Sequence, residues 1–175
     1  MPTIYILLTN TRTAFSRLIG WSTGETYTHV AIALDRELRK VYSFARRNPR
    51  FMLPAGLVRE DVRAGVYARA MDRPSRLYAL EISDAAYRRL MDRLVSMLVE
   101  RRNYRYSVLG VLACFFGIPL RRRKKFFCSQ FVGEMLESSG QTNFVKPPAL
   151  LRPNDFCAFE DLRLIYSGKL AGVTA

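Results

Sequence analysis

A cysteine stands where a helix is expected to begin, and it is the residue of this chain best suited to chemistry. Apolar residues follow Cys128 at helical spacing: Phe131, Val132, Met135 and Leu136. The spacing predicts an amphipathic helix with the thiol on its buried face. Unpaired N–H groups and the positive dipole end at a helix N-terminus stabilise a thiolate, as do the five consecutive cations at 121–125. The pattern indicates a nucleophile, the alternative being a small buried hydrophobic side chain.

The one histidine of the chain can supply the base that a thiol nucleophile needs. His29 lies in segment 26–34, whose β-branched residues and two-residue period predict a strand. Because Ala31 and Ala33 share its face, we expect a helix to approach the histidine there. An imidazole can take the thiol proton and return it to a leaving group near neutral pH. Taken with Cys128, His29 indicates a catalytic pair rather than a purely structural histidine.

Two short motifs carry a resemblance to a known group of enzymes. Residues 27–32 read Tyr-Thr-His-Val-Ala-Ile, and residues 127–132, about a hundred positions later, read Phe-Cys-Ser-Gln-Phe-Val. This order resembles the circularly permuted branch of the NlpC-type papain-like cysteine hydrolases, which includes the lecithin retinol acyltransferase-like proteins. In that branch the histidine strand precedes the cysteine helix, the reverse of the order in papain. The order of elements matches from about residue 3 to residue 132.

The resemblance implies a fold, an activity and a polar third site residue. The fold is α+β and permuted papain-like, in a single domain over residues 1–175: an antiparallel sheet packed against a helix with the nucleophilic Cys128 at its N-terminus. The implied activity is hydrolysis or acyl transfer through a thioester, on an amide or ester bond of a small-molecule, peptide-like or acyl-lipid substrate. No cofactor or metal is implied. The oligomeric state is left open.

The third site residue is where this sequence departs from the family. It is expected on the strand after the histidine, here predicted over 40–45, and the closest match by position is Ser43. A serine hydroxyl can fix an imidazole tautomer, but it offers no full charge to an imidazolium. Glu60 and Asp61 are the alternatives, since a loop could fold them back toward the histidine.

The composition describes a folded, strongly basic protein. Apolar residues make up 49% of the 175 residues, which excludes global disorder. The net charge of +13 favours anionic partners such as phospholipid surfaces or nucleic acid. A non-catalytic basic binding protein for anionic lipid or nucleic acid is therefore the alternative to an enzyme. Nucleic acid is disfavoured, because the aromatic residues among the cations at 104–106 and 125–127 form no known motif.

The cysteine content and two apolar segments bear on where in the cell the protein is located. Three cysteines and one histidine, without metal-ligand spacing, argue against a zinc site, and reduced thiols suggest a cytoplasmic protein. Residues 1–8 lack a basic leader and are predicted to form a strand. The apolar run 108–120 is too short to span a bilayer. It predicts a buried helix ending near Gly117 and Pro119, the alternative being a helix on an anionic membrane surface.

Periodicity and turn residues predict the remaining elements. Strands are expected at 3–9, 40–45, 56–60, 65–70, 76–82 and 162–166, and helices at 14–21, from 84 to about 98, at 108–116 and from 128 to about 139. Ser83 is expected to cap the longest helix. The proline-rich stretch 146–155 is predicted to be largely irregular.

Overall fold

A computed structural model describes residues 1–11, 25–46, 55–140 and 144–173 of the chain. The predicted helix at 14–21 lies outside the described residues, as do residues 47–54 between the third and fourth strands. Within the described ranges the fold is α+β, with helices packed against a six-stranded antiparallel sheet.

The sheet has the strand order β4-β3-β2-β1-β5-β8, with antiparallel pairing between all neighbours. Its strands are β1 (Thr3–Thr9), β2 (His29–Ala33), β3 (Val41–Arg46), β4 (Ala55–Glu60), β5 (Pro74–Glu81) and β8 (Arg163–Lys169). Of the seven strands predicted from the sequence, six correspond to these, and the exception is that at 65–70. The central β1 pairs with both β2 and β5, and β8 lies at one edge.

The predicted strand at 65–70 is wrong. Gly65 adopts a positive φ of 60°, and the segment then forms turns and a 3-10 helix, Tyr67–Arg69. A left-handed residue breaks an extended segment, so the alternating apolar residues turn back over the sheet. Tyr67 is buried as a result, with 1% of its surface exposed.

Three α-helices follow β5 in the chain: α1 (Asp84–Val99), α2 (Val108–Phe115) and α3 (Cys128–Ser139). Ser83 caps α1 as predicted, its hydroxyl accepting a hydrogen bond from the Ala86 N–H. Gly140, in the left-handed region at φ 72°, ends α3. Two short parallel strands, β6 (Arg105–Tyr106) and β7 (Lys125–Phe126), precede α2 and α3 and hold the starts of these helices together.

The two faces of β2 bury different partners. Val30 and Ile32 belong to the larger core, together with apolar residues of α1 and α3. Ala31 and Ala33 pack in a smaller core that includes Tyr67. Among the described residues, this face is covered by the segment that contains Tyr67 rather than by an α-helix. The small side chains there make room for the 3-10 helix and its tyrosine instead.

The apolar run after residue 107 forms α2, but the expectation that this helix is buried is wrong. Only Gly110 and Cys114 among its residues are buried, and the larger apolar side chains face outward. They are Val108, Leu109, Leu112 and Phe115 in the helix, and Phe116 and Ile118 after it. A run of apolar residues predicts a helix without fixing which side is covered.

The proline-rich stretch after α3 forms two 3-10 helices, Pro148–Leu150 and Pro153–Ala158, rather than a fully irregular loop. Pro148 and Leu151 lie close to Gly133 of α3, where a Cβ would come within 2.4 Å of a Leu151 methyl group. This segment therefore covers the cysteine helix. Over the parts of the chain that the structure describes, no helix combines the length and apolarity needed to cross a bilayer.

Candidate active site

Cys128 is the first residue of α3, as the sequence predicted. The preceding residue, Phe127, is extended and offers no side-chain acceptor to the helix N-terminus. The free N–H groups of the first turn therefore lie around the cysteine. The thiol is free and the residue is 6% exposed, so the sulfur lies at a helix N-terminus with little contact with water.

His29, the first residue of β2, lies between Glu60 and Cys128. Its Nε2 atom is 3.1 and 3.2 Å from the two carboxylate oxygens of Glu60, the last residue of β4. The side chain and charge of Cys128 also contribute to raising the pKa of the same imidazole, so the thiol lies near the ring. Because Nε2 contacts the carboxylate, Nδ1 is the nitrogen that remains for the sulfur. The structure therefore places Cys128 and His29 in one buried cluster.

The charges of this cluster favour an imidazolium. Burial of His29 opposes protonation, but the negative charge of Glu60, with the contribution of Cys128, outweighs it and raises the histidine pKa to about 10. Burial would raise the pKa of Glu60, yet the imidazolium charge and its hydrogen bond lower it. Near neutral pH, Glu60 and His29 form a buried ion pair, in which the carboxylate holds a proton on the ring that faces the thiol.

Tyr67 holds the same carboxylate through a second hydrogen bond. Its hydroxyl donates a 2.5 Å hydrogen bond to Oε2 of Glu60, a length typical of a bond to a charged acceptor. Burial, followed by the negative charge of Glu60, raises the pKa of Tyr67 well above its usual value, so the phenol remains a donor. The tyrosine ring also lies 6.2 Å from the imidazole, centroid to centroid. Sequence reasoning missed Tyr67, because it placed this residue in a strand.

Ser43 and Asp61 make no hydrogen bond to the imidazole. The Ser43 hydroxyl is fully buried near Glu60 and contributes to lowering its pKa, but within the described chain Oγ makes no hydrogen bond of ordinary geometry. Asp61 is exposed and accepts a hydrogen bond from the Arg63 N–H. Of the three candidates for the third position, the structure brings only Glu60 to the histidine.

Tyr106 is a further aromatic residue beside the thiol that the sequence did not single out. It is half-buried at the end of β6, and burial, with the charge of Cys128 second, raises its pKa well above the usual value. Its phenol is therefore protonated near neutral pH. The pairing of Tyr106 with Phe126 in the β6–β7 ribbon brings it to the start of α3, and no local sequence pattern signals a two-residue parallel pairing.

The cluster has the parts of a thiol-based acyl-transfer site: a sulfur at a helix N-terminus, an imidazole and a carboxylate that orients it. In the described ranges, no group of three or more cysteine, histidine or acidic side chains has an arrangement that could hold a metal ion. Comparison with known proteins adds no assignment, since no protein-family model matches the chain and no curated protein matches it significantly. Chemical function must therefore be argued from the geometry.

The ion pair predicts a specific dependence of stability on pH. His29 has a pKa of about 10 in the folded protein and of about 6.5 in the unfolded chain. Its contribution to the free energy of unfolding is therefore complete below pH 6.5 and is lost as pH rises toward 10. The lowered pKa of Glu60 gives a contribution present above about pH 4.5 and lost as pH falls. At pH 5.5 we expect Glu60→Gln, which keeps size and hydrogen bonding, to cost about 3 kcal/mol in unfolding free energy.

Urea unfolding of the two proteins from pH 4 to pH 10.5 measures this difference. Repeating the comparison in a Cys128→Ala background removes the contribution of the thiol. The cost of Glu60→Gln should shrink at both ends of the pH range. A cost that does not change with pH would contradict the ion pair.

Proposed function

We propose that this protein is a cysteine-dependent hydrolase or acyltransferase that forms a thioester at Cys128. The single observation that carries the proposal is the buried contact series from Cys128 through His29 to Glu60. The histidine strand followed by a cysteine helix, packed on an antiparallel sheet, also supports membership of the permuted papain-like hydrolases. The bond attacked is an amide, an ester or a thioester.

In the first half of the reaction, the Cys128 sulfur attacks the carbonyl carbon of the substrate. A C–S bond forms and the carbonyl π electrons move to oxygen, giving a tetrahedral oxyanion. As the oxyanion collapses, the bond from carbon to the leaving group breaks. The imidazolium of His29 gives its proton to that group, and an acyl thioester remains on Cys128.

In the second half, water or another acceptor attacks the thioester. The neutral imidazole of His29 takes a proton from the acceptor, the C–S bond breaks, and the thiolate is restored beside an imidazolium. Glu60 touches only His29 and Tyr67 in this scheme, so it is a positioning residue. It fixes the ring orientation and stabilises the positive charge in the resting and final states.

The tetrahedral oxyanion needs hydrogen-bond donors near the start of α3. The backbone N–H of Cys128 lies at the helix N-terminus, where no intrahelical carbonyl can accept it. The phenol of Tyr106, held protonated beside the thiol, is the candidate for a second donor. A helix dipole and a neutral phenol both stabilise an oxygen that becomes negative only during the reaction.

Iodoacetamide labelling tests the proposal without knowledge of the substrate. The thiolate is the form that reacts with iodoacetamide, and an adjacent imidazolium stabilises a thiolate. We expect Cys128 to label faster than the other cysteines at neutral pH, and His29→Ala to slow its labelling by about tenfold or more. Peptide mass spectrometry resolves the three cysteines.

The other thiols are internal controls. Cys114 is as buried as Cys128, and Cys157 is half-buried, so neither control is less accessible than Cys128. Their labelling rates should not respond to His29→Ala. A Cys128 labelling rate that matches theirs and is unchanged by His29→Ala would overturn the catalytic pair.

A further inference from the structure

The helix α2 presents its apolar side chains to solvent. Its outward residues recur at helical spacing, as Val108, Leu109, Leu112, Phe115 and Phe116, and Ile118 extends the patch. Phe116 is 73% exposed and Ile118 57% exposed. We call these six residues the α2 patch. Contiguous exposed apolar surface of this kind is typical of an interaction site.

Packing fixes the orientation of this helix. The buried side of α2 is made of two small residues, Gly110 and Cys114. A Cβ at Gly110 would lie 3.3 Å from the ring of Phe127 and 2.6 Å from the Ser107 hydroxyl, so a larger residue would not fit there. Close approach through the small side forces the large side chains outward. The α2 patch is therefore built into the fold.

The sequence that contains the patch carries only cationic charges. Residues 101–125 contain eight Lys or Arg residues and no acidic residue, against a net charge of +13 for the chain. Arg105, Arg122 and Arg123 are exposed, and none of them forms an ion pair with a described residue. Unpaired cations beside exposed apolar side chains are complementary to a partner with an apolar interior and negative charges at its surface.

We propose that the α2 patch and its flanking cations dock on an anionic phospholipid surface. Apolar side chains of an interfacial helix enter the boundary of the acyl chains while nearby Lys and Arg residues contact the phosphates. A second copy of the chain fits less well, because pairing the patch with itself would bring two groups of eight cations together. The proposal does not depend on the chemistry of Cys128.

Docking in this way would bring the site close to the membrane. Tyr106, whose pKa responds to Cys128, immediately precedes Ser107, the N-cap of α2. Phe127, the N-cap of α3, lies against Gly110 of α2. The helix that contacts the lipid is thus joined to both segments that place the thiol.

Vesicle co-sedimentation of the full chain tests the proposal. The probes are vesicles of phosphatidylcholine mixed with phosphatidylglycerol and vesicles of phosphatidylcholine alone. We expect binding to the mixed vesicles only. Arg122→Glu with Arg123→Glu should weaken binding by about thirtyfold, and Leu112→Ser with Phe116→Ser by about tenfold or more.

Matched surface variants control for nonspecific effects. Arg36→Glu with Arg163→Glu changes the net charge equally at exposed positions outside the patch, and Val145→Ser with Leu164→Ser removes exposed apolar side chains elsewhere. These should weaken binding by no more than about threefold, with thermal unfolding midpoints unchanged in all variants. Absence of binding, equal loss in patch and control variants, or self-association that depends on Leu112 and Phe116 would each overturn the proposal. Repeating the assay with Cys128→Ala keeps its outcome separate from that of the proposed reaction.

Discussion

Replacement of Cys128 by alanine is expected to abolish acylation of the protein by p-nitrophenyl acetate. The ester carbon needs a nucleophile, and among the cysteines only Cys128 combines a helix N-terminus with an imidazole. Loss of a nucleophile commonly costs a factor of about 10⁴ or more in rate. Release of p-nitrophenolate measures the reaction, and intact mass shows whether an acetyl group remains on the protein. A burst followed by slower turnover would indicate a thioester that accumulates.

Removal of the other thiols separates this effect from general thiol reactivity. Cys114→Ala and Cys157→Ala leave the contacts of His29 and Glu60 intact, so their acylation rates should stay within about threefold of the unmodified protein. Cys128→Ser keeps a nucleophilic atom of similar size, but a hydroxyl is far less acidic than a thiol and should restore little of the rate. If Cys128→Ala is acylated as fast as the parent protein, the nucleophile lies elsewhere.

Local periodicity was sufficient to place Cys128 at the start of a helix. The apolar spacing after Cys128 located the start of α3, and Gly140 marked its end. The β-branched run around His29 likewise located β2. These signals depend on residues within one or two turns or strands of each other, which is the range over which a sequence pattern reports structure.

The third site residue required information that no local pattern contains. Ser43 follows from strand order, but its hydroxyl does not bond to the imidazole. Glu60 reaches His29 across a separation of 31 residues, and its carboxylate also accepts a hydrogen bond from Tyr67 of the 3-10 helix. That turn was predicted as a strand, because alternating residues at 65–70 fit both a strand and a turn. A charged residue at a strand end was the only available signal for Glu60.

Composition also does not predict which side of α2 is buried. An apolar run of eight to twelve residues predicts a helix and suggests burial. In this chain the small residues Gly110 and Cys114, four positions apart, mark the buried side, and the larger residues face solvent. The cations on both sides of the run were the sequence feature that pointed to exposure, since a buried helix has no need of them.

The charge on Glu60 is expected to control the reactivity of Cys128, whereas Ser43 is not. The carboxylate is the main reason that the pKa of His29 rises from 6.5 to about 10 despite burial. Each unit of pKa is a factor of ten in equilibrium. Glu60→Gln should therefore lower the population of imidazolium beside a thiolate, and with it the rate of acylation by p-nitrophenyl acetate at pH 7, by about 10²–10³-fold.

The pH profile distinguishes this electrostatic role from a structural one. The loss of acylation rate caused by Glu60→Gln should be largest near neutral pH. It should become smaller as pH rises, because hydroxide then removes the thiol proton without help from the imidazole. Ser43→Ala removes a buried hydroxyl that makes no ordinary hydrogen bond and should leave both the rate and the profile within about threefold of the parent. Equal losses in the two variants, or a Glu60→Gln deficit that is constant from pH 6 to pH 9, would mean that the carboxylate acts only by holding the sheet together. If the loss of rate narrows with pH in Glu60→Gln and is absent in Ser43→Ala, Glu60 rather than Ser43 orients the imidazole.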